Sequence, residues 1–157
     1  MRWVIGVTYN SQEADPIGMN RKSDLEDLGI PVEEIKTMHV YFIQGRISEE
    51  KIEKACRELL SDNIIQKYNY INNKDSLHLL EEKNAWIVQV KNKPGVTDAV
   101  GESTRKGLLV LGVKEVENVQ TAFTYVIKGE LTEEDVKKAC EKSLANSLIQ
   151  DYKYERV

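Results

Sequence analysis

Residues Gly129 to Tyr154 read GELTEEDVKKACEKSLANSLIQDYKY, and the chain contains a second version of this stretch. Gly45 to Tyr70 reads GRISEEKIEKACRELLSDNIIQKYNY, lies 84 positions earlier and aligns without a gap. Both versions keep a Lys-Ala-Cys core and an Ile-Gln-x-Tyr-x-Tyr ending. Because chance does not hold a whole helix and strand in register, we interpret the pair as an internal duplication.

The duplication continues toward the N-terminus with an offset of 83 positions. Trp3 matches Trp86, and the second copy has one extra residue after Gly112, in a predicted loop where an insertion costs little. The sequence therefore predicts one unit at residues 1–71, a linker at 72–84 and a second unit at 85–157. The other matched pairs are Val7 and Val90, Asp15 and Asp98, Gly18 and Gly101, and Leu28-Gly29 and Leu111-Gly112.

Composition narrows the class of protein and its compartment. The net charge of −4 and the pI of about 5.4 argue against a nucleic-acid partner. The two cysteines occupy matching positions in the two copies, which is unlike a disulfide framework and favours a reducing compartment. The opening MRWVIGVTYN lacks the apolar run of a signal peptide or membrane span, so we expect a cytoplasmic protein without a membrane partner.

Each copy shows the pattern strand–helix–strand–helix–strand. Residues 2–9 alternate as a strand, and Asp15 before Pro16 is a typical helix N-cap, with Asp98 as its equivalent. The first helices are predicted to end at Gly29 and Gly112, with Val100, Leu108 and Leu111 on one face of the second copy's helix. The sequence further predicts second strands over 35–43 and 119–127, second helices from Ser48 and Thr132, and third strands over 64–71 and 148–155.

Three features refine the predicted fold. Gly18 and Gly101 lie in the first turn of a helix, where either another backbone or a ligand comes close, and we favour the backbone. The second strand is apolar on both faces, which predicts a central, covered strand. Leu77, Leu79 and Leu80 predict that the middle of the linker docks as a turn of helix.

The sequence thus predicts an α+β fold in which each copy has a small antiparallel or mixed sheet and two helices. Since each copy is small for an independent core, we expect the copies to pair or pack through their second strands. The result would be a pseudo-two-fold, dimer-like body.

The chain offers no recognisable catalytic constellation. His39 aligns with Phe123 in the other copy, which favours packing, and His78 falls in the linker without a counterpart. Cys56 and Cys140 lie on apolar helix stripes, where we expect buried, inert thiols. No metal-ligand spacing and no phosphate-binding glycine loop is present, so we expect no metal and no cofactor.

The tyrosines Tyr68, Tyr70, Tyr152 and Tyr154 are the one concentration of aromatic residues, on a strand predicted to lie at a sheet edge. Two interpretations stand equally: packing within the sheet, or a protein interface that uses the amphipathic ring. These four residues are our candidate interface.

The C-terminal stretch Leu144 to Glu155, LANSLIQDYKYE, resembles the L-x-N-x-x-I-E-D-Y-x-Y-E ending of the PurS family, the small subunit of phosphoribosylformylglycinamidine (FGAM) synthase. Residues 93–101, KPGVTDAVG, resemble the K-x-x-V-x-D-P-x-G opening of that family, and Asp15 to Gly18 repeats D-P-x-G in the first copy. Asp15, Gly18, Asp98 and Gly101 are therefore motif positions. Gln66 and Gln150 depart from the pattern, because the family often has an acidic residue there.

The resemblance implies a tandem PurS, similar to the N-terminal region of fused PurS–PurL synthases, with a structural role. Such units are implied to bridge the ATP- and Mg-using PurL-like synthase and the PurQ-like glutaminase, and self-association is a further implied contact. Two other functions stay open: a small-molecule-sensing regulatory domain of tandem α+β units, and an enzyme in its own right, which the missing constellation disfavours. Either a separate subunit or the front of a fused enzyme fits the sequence.

Overall fold

A computed structural model describes residues 1–157. Each copy contributes three strands and two α-helices, in the order strand–helix–strand–helix–strand. They are β1 (Arg2–Tyr9), α1 (Pro16–Asp27), β2 (Val32–Gly45), α2 (Glu49–Ala55), β3 (Gln66–Asn72), β4 (Trp86–Asn92), α3 (Ala99–Leu111), β5 (Val116–Gly129), α4 (Glu133–Ala139) and β6 (Gln150–Arg156). None of these helices is both long enough and apolar enough to cross a membrane.

The strands form one antiparallel sheet in the order β3-β1-β2-β5-β4-β6. The long second strands of the two copies, β2 and β5, are neighbours at its centre, as the sequence predicted. Val40 on one face of β2 and Ile43 on the other are both fully buried, which explains why this strand is apolar on both sides. The α+β class and the pairing of the second strands are therefore confirmed.

The chain divides into two compact units that do not follow the two sequence copies. Unit 1 contains residues 1–8, 39–81 and 97–121. Unit 2 contains residues 9–38, 82–96 and 122–157. The first helix of each copy thus lies in the unit that holds the second helix of the other copy.

The core of unit 1 draws on both copies. The first copy supplies β1 and α2 side chains such as Ile5 and Ile52, and the second copy supplies Leu108 from α3. All three are fully buried. Removing the residues of either copy would leave this core incomplete. Its full set of buried residues is Trp3, Ile5, Val7, Ile43, Ile47, Ile52, Ala55, Cys56, Leu60, Leu108, Val113, Val116 and Val119.

The core of unit 2 is built in the reciprocal way. Leu25 of α1 and Ile35 of β2 come from the first copy and pack with Val88, Ile127 and Val136 of the second. Val88 of β4 shares its face with Trp86, which is partly buried against this core, since alternate residues of a strand share a face. The remaining buried members are Ile30, Val32, Val90, Tyr125, Leu131, Ala139, Cys140 and Leu144.

Side-chain caps fix where the second helices begin. The Ser48 hydroxyl accepts from the backbone N–H of Lys51, and Thr132 forms a reciprocal capping box with Asp135. In unit 1 the Trp3 indole N–H also donates to the carbonyl of Ile47, with an N–O distance of 2.9 Å, which ties β1 to the residue before the cap.

Both second helices end in a widened π-helical turn that the sequence did not predict. The turns cover Cys56–Leu60 and Cys140–Leu144. Ser61 N–H donates to the carbonyl of Cys56, and Ala145 N–H donates to that of Cys140, each at 3.1 Å and each five residues back. The repeated geometry shows that the duplicated Lys-Ala-Cys segment encodes the same helix end twice.

Two local predictions were wrong. The third strands begin at Gln66 and Gln150, not at Ile64 and Leu148, because a tight turn occupies the preceding residues. In that turn Gln66 N–H donates to the Asp62 carbonyl at 2.7 Å, which holds the chain away from the sheet ladder.

Val100 does not share the buried face of α3 and is 52% exposed. The helix instead turns Gly101, Thr104 and Leu108 inward, because Gly101 allows the helix to approach the sheet closely.

The linker carries the predicted short turn of helix, a 3-10 turn at Ser76–Leu79 capped by Asp75. Further along, Glu82 in unit 2 accepts from Lys36 of β2 at 3.3 Å and pairs with Lys128 of β5 at 3.0 Å. Burial by itself would raise the pKa of the Glu82 carboxyl, but the hydrogen bonds and charges of Lys128 and Lys36 together lower it. The linker is therefore held by two ion pairs where it approaches β4.

Candidate interaction surfaces

The first motif, D-P-x-G, joins a helix to a strand in unit 2. Asp15 is buried at the N-cap of α1, where its Oδ1 accepts from Gly18 N–H at 2.8 Å. Its Oδ2 accepts from the backbone N–H of Thr37 at 2.9 Å and from the Thr37 hydroxyl at 2.8 Å. One carboxylate thus satisfies three donors on two elements.

Unit 1 repeats this arrangement with the second copy of the motif. Asp98 accepts from Gly101 N–H at 2.8 Å and from the Thr121 backbone N–H at 2.6 Å. The Thr121 hydroxyl donates to the same carboxylate at 2.9 Å. The recurrence in both units shows that the aspartate locks the first helix onto the second strand.

The motif glycines allow that close approach. A Cβ on Gly18 would lie 2.6 Å from the carbonyl oxygen of Ile35, and a Cβ on Gly101 would lie 2.5 Å from that of Val119. Real side chains do not reach such distances to backbone. The glycines therefore face a neighbouring strand and not a ligand, as the sequence interpretation favoured.

The candidate interface tyrosines lie on the two edge strands of the sheet, since β3 and β6 each have a single neighbour. In unit 1 the Tyr70 ring meets the Trp3 ring edge-on, with centroids 5.8 Å apart. The Tyr68 hydroxyl donates to the Glu53 carboxylate, and the Tyr70 hydroxyl donates to Glu49 at 3.3 Å. Both rings are half-buried over α2.

Unit 2 repeats the contact between the last tyrosine and the tryptophan. Tyr154 meets the Trp86 ring with centroids 6.0 Å apart and donates to Glu133 of α4 at 2.9 Å. Tyr152 stacks beside Tyr154 with centroids 6.4 Å apart. Both edge strands therefore carry a packed pair of tyrosines whose rings stay partly open to solvent, and on each strand at least one hydroxyl donates to a glutamate of a second helix.

The electrostatic surroundings keep these hydroxyls protonated. The hydrogen bond to Glu53 raises the pKa of Tyr68, and the same bond lowers the pKa of Glu53. Burial raises the pKa of Tyr70, with a further contribution from the nearby glutamates. Burial also raises the pKa of Tyr154. A tyrosine hydroxyl that already donates to a glutamate can still accept a hydrogen bond at a contact, but it is not an acid that titrates near neutral pH.

The backbone of the edge strands adds a second feature to each surface. On one side β6 pairs with β4, from Trp86 opposite Arg156 to Asn92 opposite Gln150. The other side of β6 has no strand neighbour, and its outward N–H and C=O groups stay available. Open backbone groups beside half-buried tyrosines can bind an extended or flat protein surface.

The cysteines are not part of a reactive site. Cys56 and Cys140 are unpaired and fully buried. Burial is the main cause that raises the pKa of each thiol to about 12, with a smaller contribution from a nearby glutamate. A thiol that stays neutral at physiological pH is a poor nucleophile. No group of three His, Cys, Asp or Glu side chains is placed to hold a metal ion.

Sequence reasoning missed two exposed apolar features. Ile64 and Leu148, at equivalent positions in the turns before β3 and β6, are 86% and 85% exposed. Val110 on α3 is 90% exposed. The sequence did contain a signal for these exposed residues. An aliphatic residue in a turn, or on the solvent side of a helix, departs from the usual pattern of polar residues at the surface.

The turn before each third strand also explains the departure at Gln66 and Gln150. The Gln66 Oε1 accepts from Asp62 N–H at 2.8 Å, and the Gln150 Oε1 accepts from Asn146 N–H at 2.8 Å. An acidic residue offers an oxygen of the same shape at the same place. The glutamine therefore keeps the contact within the turn that a carboxylate would make.

These features define a class of protein, a duplicated α+β sheet protein. Its motif residues hold the fold together, and the two edge strands of its sheet and several aliphatic side chains are exposed to solvent. The PurS family model, described as phosphoribosylformylglycinamidine (FGAM) synthase, matches residues 2–73 and again residues 85–157. The chain belongs to the PurS family, as a tandem of two units.

Individual relatives agree with that assignment. The phosphoribosylformylglycinamidine synthase subunit PurS of Archaeoglobus fulgidus is 40% identical over 70 residues, which are 41% of this chain and 88% of the relative. The protein of the same name from Methanocaldococcus jannaschii is 37% identical over 70 residues, covering 41% and 84%. That of Bacillus subtilis is 35% identical over 72 residues, covering 43% and 86%. The family and these names support a role in purine biosynthesis.

Proposed function

We propose that this chain is the structural subunit, or the N-terminal part, of a phosphoribosylformylglycinamidine synthase, and that it joins a PurL-like synthase to a PurQ-like glutaminase. In this role the chain itself binds no cofactor. ATP and Mg²⁺ act on the synthase, and the assembly works in the cytosol. The observation that carries the proposal is the match of the PurS family model to both copies.

The chemistry of the assembly explains why a non-catalytic chain is needed. Ammonia released from glutamine on one protein has to reach a second active site before it is lost to water. Fixing two sites relative to each other accelerates the transfer, because the orientation has been established before the reaction. A chain that fixes two partners needs firmly connected elements. The four motif residues provide such connections, since each Asp–Gly pair ties a helix to a strand in its unit.

The edge tyrosines are the proposed contact with a partner subunit. They are half-buried, and each pair adjoins backbone groups that no strand of this chain covers. Tyrosine at an interface contributes apolar area and a hydrogen-bonding tip together. Their packing on Trp3 and Trp86 keeps the rings in place, so little side-chain entropy is lost on association.

Co-expression with the synthase and the glutaminase of the same genome tests the proposal. A tag on this chain should retrieve both proteins as one complex on a sizing column. Replacing Tyr152 and Tyr154 together by alanine should weaken that complex, while the matched pair of phenylalanine replacements keeps the rings and should retain most of it. Circular dichroism of both variants separates lost folding from lost binding.

Retrieval of neither protein, with glutamine and nucleotide present, would contradict the proposal. A metabolite-dependent rise in the melting temperature of the isolated chain, without any association, would instead support a small-molecule-sensing domain.

A further inference from the structure

An apolar row follows the outward flank of α3 in unit 1. Val100, Gly107 and Val110 are seven and three residues apart, so they lie on one side of the helix. Leu59 of the π-helical turn rests on Gly107, since a Cβ there would lie 3.1 Å from both of its methyl carbons. Val110 is 90% exposed and Leu59 is 40% exposed. The row therefore presents aliphatic side chains to solvent.

The fold does not require this row. In unit 2 the positions equivalent to Gly107, Val110 and Leu59 are Asp24, Asp27 and Ser143. The helix α1 and the turn Cys140–Leu144 pack there in the same way with polar side chains. Val110 and Leu59 are thus aliphatic in unit 1 only, whereas Val100 corresponds to another aliphatic residue, Ile17.

The charges beside the row have the opposite sign to the charge of the chain. The helix α3 and the turn Cys56–Leu60 carry three basic and two acidic residues, whereas α1 and Cys140–Leu144 carry three basic and four acidic residues. Both acids near the row are in ion pairs, Glu58 with Lys54 at 4.0 Å and Glu102 with Arg105 at 3.6 Å. Lys106 is exposed and remains for a carboxylate from outside, and Arg57, which also acts on Glu53, adds positive charge.

We propose that the outer surface of α3 together with Leu59 binds one protein subunit, which presents apolar side chains bordered by carboxylates. The inference rests on the proposed function and deepens it, because a bridge between two different proteins needs two different surfaces. Unit 1 offers an apolar surface with positive charge, and the corresponding surface of unit 2 is polar and acidic. A second copy of this chain fits less well, since a symmetric contact would bring like charges together.

Matched serine variants at equivalent helix positions test the inference. Purified PurL-like synthase and PurQ-like glutaminase from the same genome are the probes, each titrated separately with the full chain. Val110→Ser should weaken binding of one of the two proteins by about tenfold or more and leave the other unchanged. Asp27→Ser should change neither by more than about twofold. Lys106→Glu should weaken binding of that same protein, and the loss of affinity should become smaller as salt is added.

Each other result has a defined meaning. If the Val110→Ser chain binds both proteins as tightly as wild type does, the inference is overturned and the proposed function stands. Wild-type chain that binds neither protein overturns the proposed function and the inference with it. A wild-type dimer in sedimentation equilibrium that Val110→Ser abolishes shows that a second copy occupies the surface, which also overturns it. Should Val110→Ser lose structure, Lys106→Glu, on an exposed side chain, provides the same comparison.

Discussion

The buried aspartate is the residue on which each helix-to-strand connection depends most. Asp15 accepts three hydrogen bonds and is almost fully buried. Asp15→Ala would leave those donors without a partner, and we expect a loss of about 2–4 kcal/mol in the free energy of unfolding. Urea denaturation measures it. Glu13→Ala, an exposed control two residues away, should stay within about 0.5 kcal/mol, and an equal change in both variants would refute the role.

The thiols give a prediction with a defined pH dependence. Burial raises the pKa of Cys56 and Cys140 to about 12, above the ordinary thiol value of 9.0. A raised pKa favours the protonated native state, so the contribution to stability is complete below pH 9 and is lost as the pH rises from there toward 12. At pH 8 a thiol reagent should label the native chain slowly and the urea-unfolded chain at once. Rapid stoichiometric labelling of the native chain would contradict the assignment.

At the scale of elements, the contact between the first helix and the second strand depends on glycine. Gly101→Ala would place a Cβ 2.5 Å from a backbone oxygen, and we expect a loss of about 2 kcal/mol or more. Gly107→Ala, in the same helix, meets only the flexible end of Leu59 at 3.1 Å. Better helix propensity then offsets the crowding, and the change should stay within about 1 kcal/mol. Thermal and urea unfolding compare the two, and similar losses would show that neighbouring backbone is not the constraint.

Several elements followed from local sequence. The caps at Asp15 and Thr132 and the glycine with positive φ after α3, Gly112, were predictable, because each is set by residues within one turn. The duplication gave the same elements twice, and the doubly apolar second strand indicated a central position.

Other features depend on packing that no local window contains. The exposure of Val100 follows from Gly101 facing β5, and the late start of β3 follows from the side chain of Gln66 reaching back to Asp62. The π-helical turns carry no signal in periodicity, because one extra residue per turn alters the pattern too little. The sequence predicts that the edge tyrosines pack on a strand or form an interface, but it does not distinguish the two roles, since both favour tyrosine.

At the scale of the molecule, the first helix of each copy lies in the unit that holds the second helix of the other copy. This arrangement predicts that neither copy folds stably without the other. Residues 1–72 expressed alone would lack Leu108, Val113 and the other second-copy members of the unit 1 core. We expect neither half to be a stable monomer, and we expect the two halves to form a folded one-to-one complex when co-expressed. Light scattering and circular dichroism report both properties. Two halves that are each stable monomers and do not associate would rule this dependence out.

The proposed bridging role is tested most directly by comparing two nitrogen sources. FGAM formation by the PurL-like synthase and the PurQ-like glutaminase is measured with and without this chain, first with glutamine and then with ammonium salt. Free ammonia reaches the synthase without alignment of two sites, whereas ammonia from glutamine depends on it. The account predicts that omitting the chain greatly reduces the glutamine-dependent rate and reduces the ammonia-dependent rate much less. An equal fall in both rates, or no fall in either, would contradict it.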